Sequence, residues 1–217
     1  MSKIRFTEPN REILARRDSI INDLTRLVDP AGLITSTDEC RAYETDALTA
    51  YRKMPLAVVL PKTTEEVSAV LKYCHDTGVK VVPRGAGTSL AGGAIPSEDA
   101  VVLGLSKMNR VLAVNYDDRF IRVEAGVTNL SVTAVVAENG FFYAPDPSSQ
   151  LACTIGGNIA NNSGGAHCLK YGVTTNNLLG VRMVLIDGSI IDLGGDYLDS
   201  AGLDLLGLVV GSEGQLG

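Results

Sequence analysis

Pro83-Arg84-Gly85-Ala86-Gly87-Thr88-Ser89-Leu90-Ala91-Gly92-Gly93-Ala94 sets four glycines among short polar residues. A backbone that must cup an anion needs several N–H groups aimed into one concavity. Glycine allows this, having no Cβ to block a positive φ or the approach of a ligand. Thr88 and Ser89 can add hydroxyl donors. Two familiar nucleotide loops are excluded by inspection: no Gly-Lys-Ser/Thr follows, and Leu90 stands where G-x-G-x-x-G would place its third glycine. A plain surface loop is the bland alternative.

The residues leading into this loop argue against the bland reading. Ala57 to Leu60 is an apolar strand, and a helix follows that Thr63 or Thr64 can cap, with Glu65 and Glu66 in its first turn and Gly78 at its end. A second strand, Val79 to Val82, runs straight into Pro83. This β-α-β unit places the glycines where such folds put a phosphate-binding turn. Further out, Asn10 to Val28 carries Ile13, Leu14, Ile20, Ile21, Leu24, Leu27 and Val28 at helical spacing and predicts one amphipathic helix lying on the outside, ended by Asp29-Pro30. Residues 35–54 read as connecting structure with one short helix, and Tyr43 and Asp46 within it as part of a solvated loop.

After the loop, Ala100 to Leu105, Val111 to Val114 and Phe120 to Glu124 read as strands, and their short spacing predicts antiparallel pairing. A helix is expected from Asn129 to Glu138, closed by Gly140. Asp187-Gly188, between Val181 to Ile186 and Ser189 to Leu193, is the strongest hairpin signal in the chain. Between these lies a second polar run. It begins at Pro145-Asp146-Pro147-Ser148-Ser149 and continues as Thr154-Ile155-Gly156-Gly157-Asn158-Ile159-Ala160-Asn161-Asn162-Ser163-Gly164-Gly165. Taken alone it could be tight turn chemistry; beside the first loop it reads as a second ligand-facing segment of bare backbone and short polar side chains.

The pair "PRGAGTSLAGG" and "TIGGNIANNSGGAHCLKYG" resembles the FAD-binding domain of the vanillyl-alcohol oxidase and p-cresol methylhydroxylase superfamily. Within it the chain is most similar to the flavin subunit of glycolate oxidase and to FAD-dependent D-lactate and D-2-hydroxyglutarate dehydrogenases, from about Leu56 to the last residue. The resemblance implies an α+β, two-lobed fold of the p-cresol methylhydroxylase type. It would have an N-terminal helical extension over 1–55, a small β-α-β lobe over 56–105 and a larger, mainly antiparallel lobe over 106–217, with FAD extended between the lobes. It further implies that Pro83, Arg84, Gly85, Ala86, Gly87, Thr88 and Ser89 wrap the FAD pyrophosphate. Ser148, Ser149, Cys153, Thr154, Gly156, Gly157, Asn158, Asn161, Asn162, Ser163 and Gly164 would complete the flavin and ribityl contacts. Gly211, Glu213 and Gly214, in a closing run similar to "GSEGTLG" with Gln215 where the family has Thr, would lie at the nucleotide. Some members attach flavin through a His inside the first motif; Gly87-Thr88 stands there, so non-covalent FAD is expected.

The same resemblance implies oxidation of a small 2-hydroxy acid to the 2-oxo acid, hydride passing to flavin N5, with electrons leaving to a quinone or an acceptor subunit. It places a final strand and a substrate-binding cap beyond Gly217, and with them the substrate clamp and the proton-abstracting His, so no catalytic residue is assigned within these residues. An FAD-holding module without turnover of its own, and another flavin reaction on the same fold, remain the alternatives. A nicotinamide-binding Rossmann domain would need an acidic ribose ligand about 20 residues beyond the glycines, and Asn109 to Val114 offers none.

Composition narrows the partners. Nineteen basic against 25 acidic residues give a net charge of −6 without a Lys/Arg stripe, which argues against nucleic acid. Lys3 and Arg5 are followed by no apolar h-region, and nowhere do 18 apolar residues run together, so a cytoplasmic protein without a membrane span is expected, with peripheral attachment to the inner membrane through partner subunits left open. Cys40, Cys74, Cys153 and Cys168 show no zinc-ligand spacing; they read as free thiols, Cys153 and Cys168 as buried fillers, and no metal is expected. His75 suits a structural role near its helix end. His167 has no evident carboxylate partner in the sequence and reads as a turn hydrogen bond rather than a proton carrier. Lys170 and Arg84 could offset phosphate or reduced-flavin charge, or simply be solvated.

Overall fold

The computed structural model describes residues 6–196 and 202–217; Lys3 and Arg5 lie outside the described residues. The chain opens with two helices, α1 (Arg11–Ala15) and α2 (Arg17–Leu24), where one was predicted. They part at Arg16 (φ −95°, ψ 7°), whose N–H turns back to the carbonyls of Ile13 and Leu14. The break lets Ile13 on one helix and Ile20 and Leu24 on the other reach the same core. β1 (Leu33–Ile34) and α3 (Thr37–Cys40) follow, then β2 (Ala57–Val59), α4 (Thr64–Thr77), β3 (Lys80–Arg84) and β4 (Ala100–Gly104). The Thr63 hydroxyl accepts from the Glu66 N–H at the start of α4, and Gly78 (φ 73°) closes it, so side-chain capping and a left-handed stop fix both ends.

These strands form one sheet in the order β1-β2-β4-β3. β4 lies parallel to both β2 and β3, and β1 is antiparallel to β2. The expected antiparallel pairing therefore fails for residues 100–104. The glycine-rich stretch 85–99 is the crossover that carries the chain from the end of β3 to the start of β4, and it is long enough for a parallel return. β2 and β4 are buried along their whole length, as strands covered on both faces must be. Alternate residues face opposite ways: Val59, Val101 and Leu103 meet α2 and α4, while Val58 and Val102 meet Cys40 and Tyr43 of the segment after β1.

The second half builds an antiparallel hairpin from β5 (Val111–Asn115) and β6 (Phe120–Val123), the helix α5 (Asn129–Val136), and two short helices, α6 (Ile155–Asn161) and α7 (Cys168–Tyr171). A second hairpin pairs β7 (Gly180–Val184) with β8 (Ile190–Gly194), and α8 (Leu205–Val209) follows. The Asp187-Gly188 turn lies where it was predicted, and the Ser68 hydroxyl of α4 donates to the Gly188 carbonyl, docking this hairpin on the first sheet's helix. Val127, Val132 and Ile155 form a separate small core beneath β6 and α6.

Asp99, just before β4, is 1% exposed and joins the N-terminal segment to the sheet. Its carboxylate accepts from Asn10 N (2.9 Å) and Ser97 Oγ (2.6 Å) and pairs with Lys80 Nζ (2.8 Å). Burial alone would raise its pKa; Lys80, Ser97 and the Asn10 amide more than offset this and lower it to about 2. A depressed carboxylate stabilises the fold above its unfolded value and loses that contribution as pH falls through the folded one. Stability measured by denaturant titration should thus fall between about pH 4 and about pH 2, and Asp99→Asn should flatten that part of the curve. Ile20, fully buried against the sheet, makes the N-terminal helices part of the core: Ile20→Ala should cost about 2–5 kcal/mol in urea unfolding, whereas a helix merely resting on the outside would lose little.

Candidate functional site

Beyond β3 the chain turns at Gly87, whose φ of 70° a side chain would oppose. The cause lies beneath it. The Arg84 guanidinium occupies the place a Cβ on Gly87 would take, lies 5.5 Å from the Tyr43 ring centroid, and donates through Nη1 to the carbonyls of Thr45 (2.7 Å) and Ala94 (3.3 Å). Burial lowers its pKa, opposed by Tyr43 and Asp46. Arg84 is thus neither solvated nor aimed outward. Asp46, expected in a solvated loop, is 3% exposed and accepts from the N–H groups of Gly92 (2.8 Å) and Leu48 (3.0 Å). Among the described residues, no carbonyl or side chain accepts from the amides of Gly85, Ala86, Gly87, Thr88 or Ser89.

The second segment abuts the first. A Cβ on Gly85 would lie 2.6 Å from Thr154 Oγ1 and 3.7 Å from Gly157 Cα, so a side chain there would push the Thr154 hydroxyl out of place. Thr154 caps α6 by accepting from Gly157 N (3.2 Å), and Gly156 N donates to the Ala125 carbonyl. Asn158, 1% exposed, faces inward. Its side chain accepts from Asn129 Nδ2 (2.9 Å) and donates to Cys153 Sγ (3.3 Å), while Asn129 also reaches the Pro145 carbonyl (3.0 Å). Asn158 and Cys153 hence form a buried polar frame under the segment. Asn161 donates to the Gly157 carbonyl, Asn162 accepts from Thr175 N, and the Ser163 carbonyl accepts from Thr174. Gly164 packs against Val173. Ser148 and Ser149 stand in the turn entering this segment, where the Ser149 carbonyl accepts from Ala152 and Cys153.

The third segment closes the arrangement. Gly211 N donates to the Ile159 carbonyl (2.9 Å) and Glu213 N to the Ala160 carbonyl (2.8 Å). Gly214 lies over the Pro83 ring, and a Cβ on Gly93 would be 3.4 Å from Glu213 Oε2. Residues around 85, 157 and 213 therefore meet at one place. A groove of about 1720 Å³ between the two hairpins reaches Pro83, Gly93, Gly156 and Gly214; Gly85 to Ser89 lie outside its walls.

Two further residues differ from their sequence reading. His167 has a carboxylate partner after all: its Nδ1 is 2.5 Å from Asp146 Oδ2, and its N–H donates to Asp146 Oδ1. This contact holds the Asp146 carboxyl below its usual range. The proline on each side of Asp146, which restricts its backbone, is the one hint the sequence offered. Cys168 is exposed, unlike the buried Cys40, Cys74 and Cys153. Among the described residues no group of His, Cys, Asp or Glu has the arrangement of a metal site.

A family model described as an FAD binding domain matches residues 55–194. The chain belongs to the FAD binding domain family. It is 49% identical over 201 residues to the glycolate oxidase subunit GlcD of Escherichia coli (strain K12), covering 93% of this chain and 40% of that protein. To the D-lactate dehydrogenase of Archaeoglobus fulgidus it is 40% identical over 200 residues, 91% of this chain and 44% of the other. To the mitochondrial D-2-hydroxyglutarate dehydrogenase of Bos taurus it is 35% identical over 199 residues, 90% and 37%. The chain thus spans roughly two fifths of the length of these relatives. Among solved structures it resembles alkyldihydroxyacetonephosphate synthase (TM-score 0.79, 22% identity, 99% of this chain and 40% of that one) and wild-type Phl p 4.0202, a glucose dehydrogenase (TM-score 0.73, 19% identity, 91% and 41%). The fold is the α+β one shared by p-cresol methylhydroxylase and vanillyl-alcohol oxidase relatives, and FAD is the cofactor.

The residues of this FAD binding domain fit that group. FAD carries a diphosphate, and the first loop offers five uncommitted N–H groups on a fixed turn. The frame below it is testable by itself. Asn158→Leu removes one acceptor of Asn129 and should cost about 1–3 kcal/mol. The Asn129→Leu/Asn158→Leu pair should cost less than the two single changes added together, since an apolar pair leaves fewer orphaned groups; urea unfolding of the three variants checks this.

Proposed function

We propose that this chain holds FAD non-covalently, its diphosphate on the main-chain amides of Gly85 to Ser89, as the flavin-carrying part of a dehydrogenase for small 2-hydroxy acids. The observation that carries the proposal is the set of uncommitted amides on a loop pressed against Thr154 and Gly157. Pro83 and Gly214 close one side of it. Arg84 acts from beneath, lending positive charge without touching the ligand, and Asn158 and Cys153 keep the second segment in shape. Ser148, Ser149, Asn161, Asn162, Ser163 and Gly164 remain for the ribityl and ring system, and Gly211 and Glu213 for the nucleotide end. FAD would lie between a lobe over 56–105 and one over 106–217, with 1–55 as an extension.

The reaction class rests on the relatives' names: glycolate oxidase subunit, D-lactate dehydrogenase and D-2-hydroxyglutarate dehydrogenase. When bound, FAD supplies the acceptor at flavin N5 for the hydride leaving the hydroxy acid's α-carbon. This chain's own part is to bind and orient: fixed main-chain dipoles need no rearrangement when the anionic cofactor arrives. A quinone or a partner subunit would receive the electrons, on the cytoplasmic side of the membrane. Among the described residues no helix is long and apolar enough to cross one.

The purified protein should take up FAD with a yellow absorbance band. Acid precipitation should leave the flavin in the supernatant, because the first loop carries no His or Cys; flavin retained in the pellet would overturn non-covalent binding. Gly85→Ala, which drives a methyl group toward Thr154 Oγ1, should weaken FAD about tenfold or more. Anaerobic addition of glycolate, D-lactate or D-2-hydroxyglutarate to the whole FAD-loaded enzyme should bleach the band; indifference to all three would sink the assigned reaction class.

A further inference from the structure

Beyond its internal bonds from Arg84 Nη1 to the Ala94 carbonyl and from Ile95 N to the Gly92 carbonyl, the glycine-rich loop is held from outside. In three contacts with an upstream segment, Arg84 Nη1 donates to the Thr45 carbonyl, the Ser89 carbonyl accepts from Ala47 N (3.2 Å), and Gly92 N donates to Asp46 Oδ2. All three partners lie in the short stretch 45–47, upstream of the residues that the family model matches, which begin at 55. The Tyr43 ring under the Arg84 guanidinium extends the same seat.

We propose that the segment Tyr43-Glu44-Thr45-Asp46-Ala47-Leu48 is a working part of the cofactor site, with Asp46 the positioning residue that sets the curvature of the diphosphate loop. The inference rests on the reading of Gly85 to Ser89 as the diphosphate seat. A carboxylate that is 3% exposed beside an anion-binding loop is electrostatically adverse, so its presence calls for a compensating task. Both of its oxygens are occupied, Oδ1 by Leu48 N and Oδ2 by Gly92 N. Both bonds are charge-assisted: the one from Leu48 N locks the 46–49 turn, and the one from Gly92 N ties the far end of the loop to that turn. An amide in its place would offer an acceptor oxygen to one of these N–H groups and set its NH2 donor against the other. The loop is thereby shaped before the ligand arrives, which lowers the ordering cost of binding.

The test is Asp46→Asn, read by FAD titration, by the phosphorus NMR resonances of bound FAD, and by the flavin absorbance band. The expected result is a dissociation constant raised about tenfold or more, displaced phosphorus resonances, and an unmoved flavin band. A variant that melts lower yet returns wild-type affinity and phosphorus shifts overturns the proposal, since a residue that only stabilises the fold would behave in that way. Should the variant fail to fold, amide exchange in the wild-type apo protein decides. Strong protection at Gly92 and Ala47 supports a preformed latch, and exchange at free-peptide rates overturns it. Failure of wild-type protein to bind FAD at all would instead sink the underlying cofactor reading.

Discussion

The structure depends on a steric constraint where β3 meets α6. Gly85 lies so near Thr154 Oγ1 that a Cβ there would displace the hydroxyl, and this closeness adds to the contacts that Val184 and the Ser68–Gly188 bond already make between the two halves of the chain. The parallel sheet delivers Gly85 to the end of β3, and the Thr154 cap delivers the first turn of α6. Their contact aligns a row of free amides with a segment of glycine and asparagine, which is what a diphosphate-containing cofactor needs.

Buried polar groups do the fine positioning. Asn129, Asn158 and Cys153 satisfy one another below α6, while below the first loop Arg84 is satisfied by main-chain carbonyls and Asp46 by main-chain amides. Because a buried polar group left without a partner is expensive, such frames tolerate few alternative geometries. The surface above them can then consist of bare backbone and small side chains, the least self-supporting material in a protein, and still present a fixed face.

Local signals were legible in the sequence. The ends of α4 follow from Thr63 and Gly78, and the β7–β8 turn from Asp187-Gly188. What the residues did not disclose depends on contacts between distant positions. The parallel placement of β4 turns on where the 85–99 crossover goes, not on strand spacing. Asp46 looked solvated because its partner, Gly92, is far along the chain, and the Asp146 carboxylate beside His167 was hidden for the same reason. The helix predicted over 10–28 has the expected apolar spacing, yet breaks at Arg16 so that both pieces reach the core.

The seat of Gly214 on Pro83, together with the bonds from Gly211 and Glu213 to α6, has a bearing on biosynthesis. The sheet and its loop are complete by residue 104 and leave the ribosome first, and the segment 211–214 follows more than a hundred residues later. Contacts of such long sequence separation close slowly. The contact between Pro83 and Gly214 therefore cannot form until translation has passed Gly214.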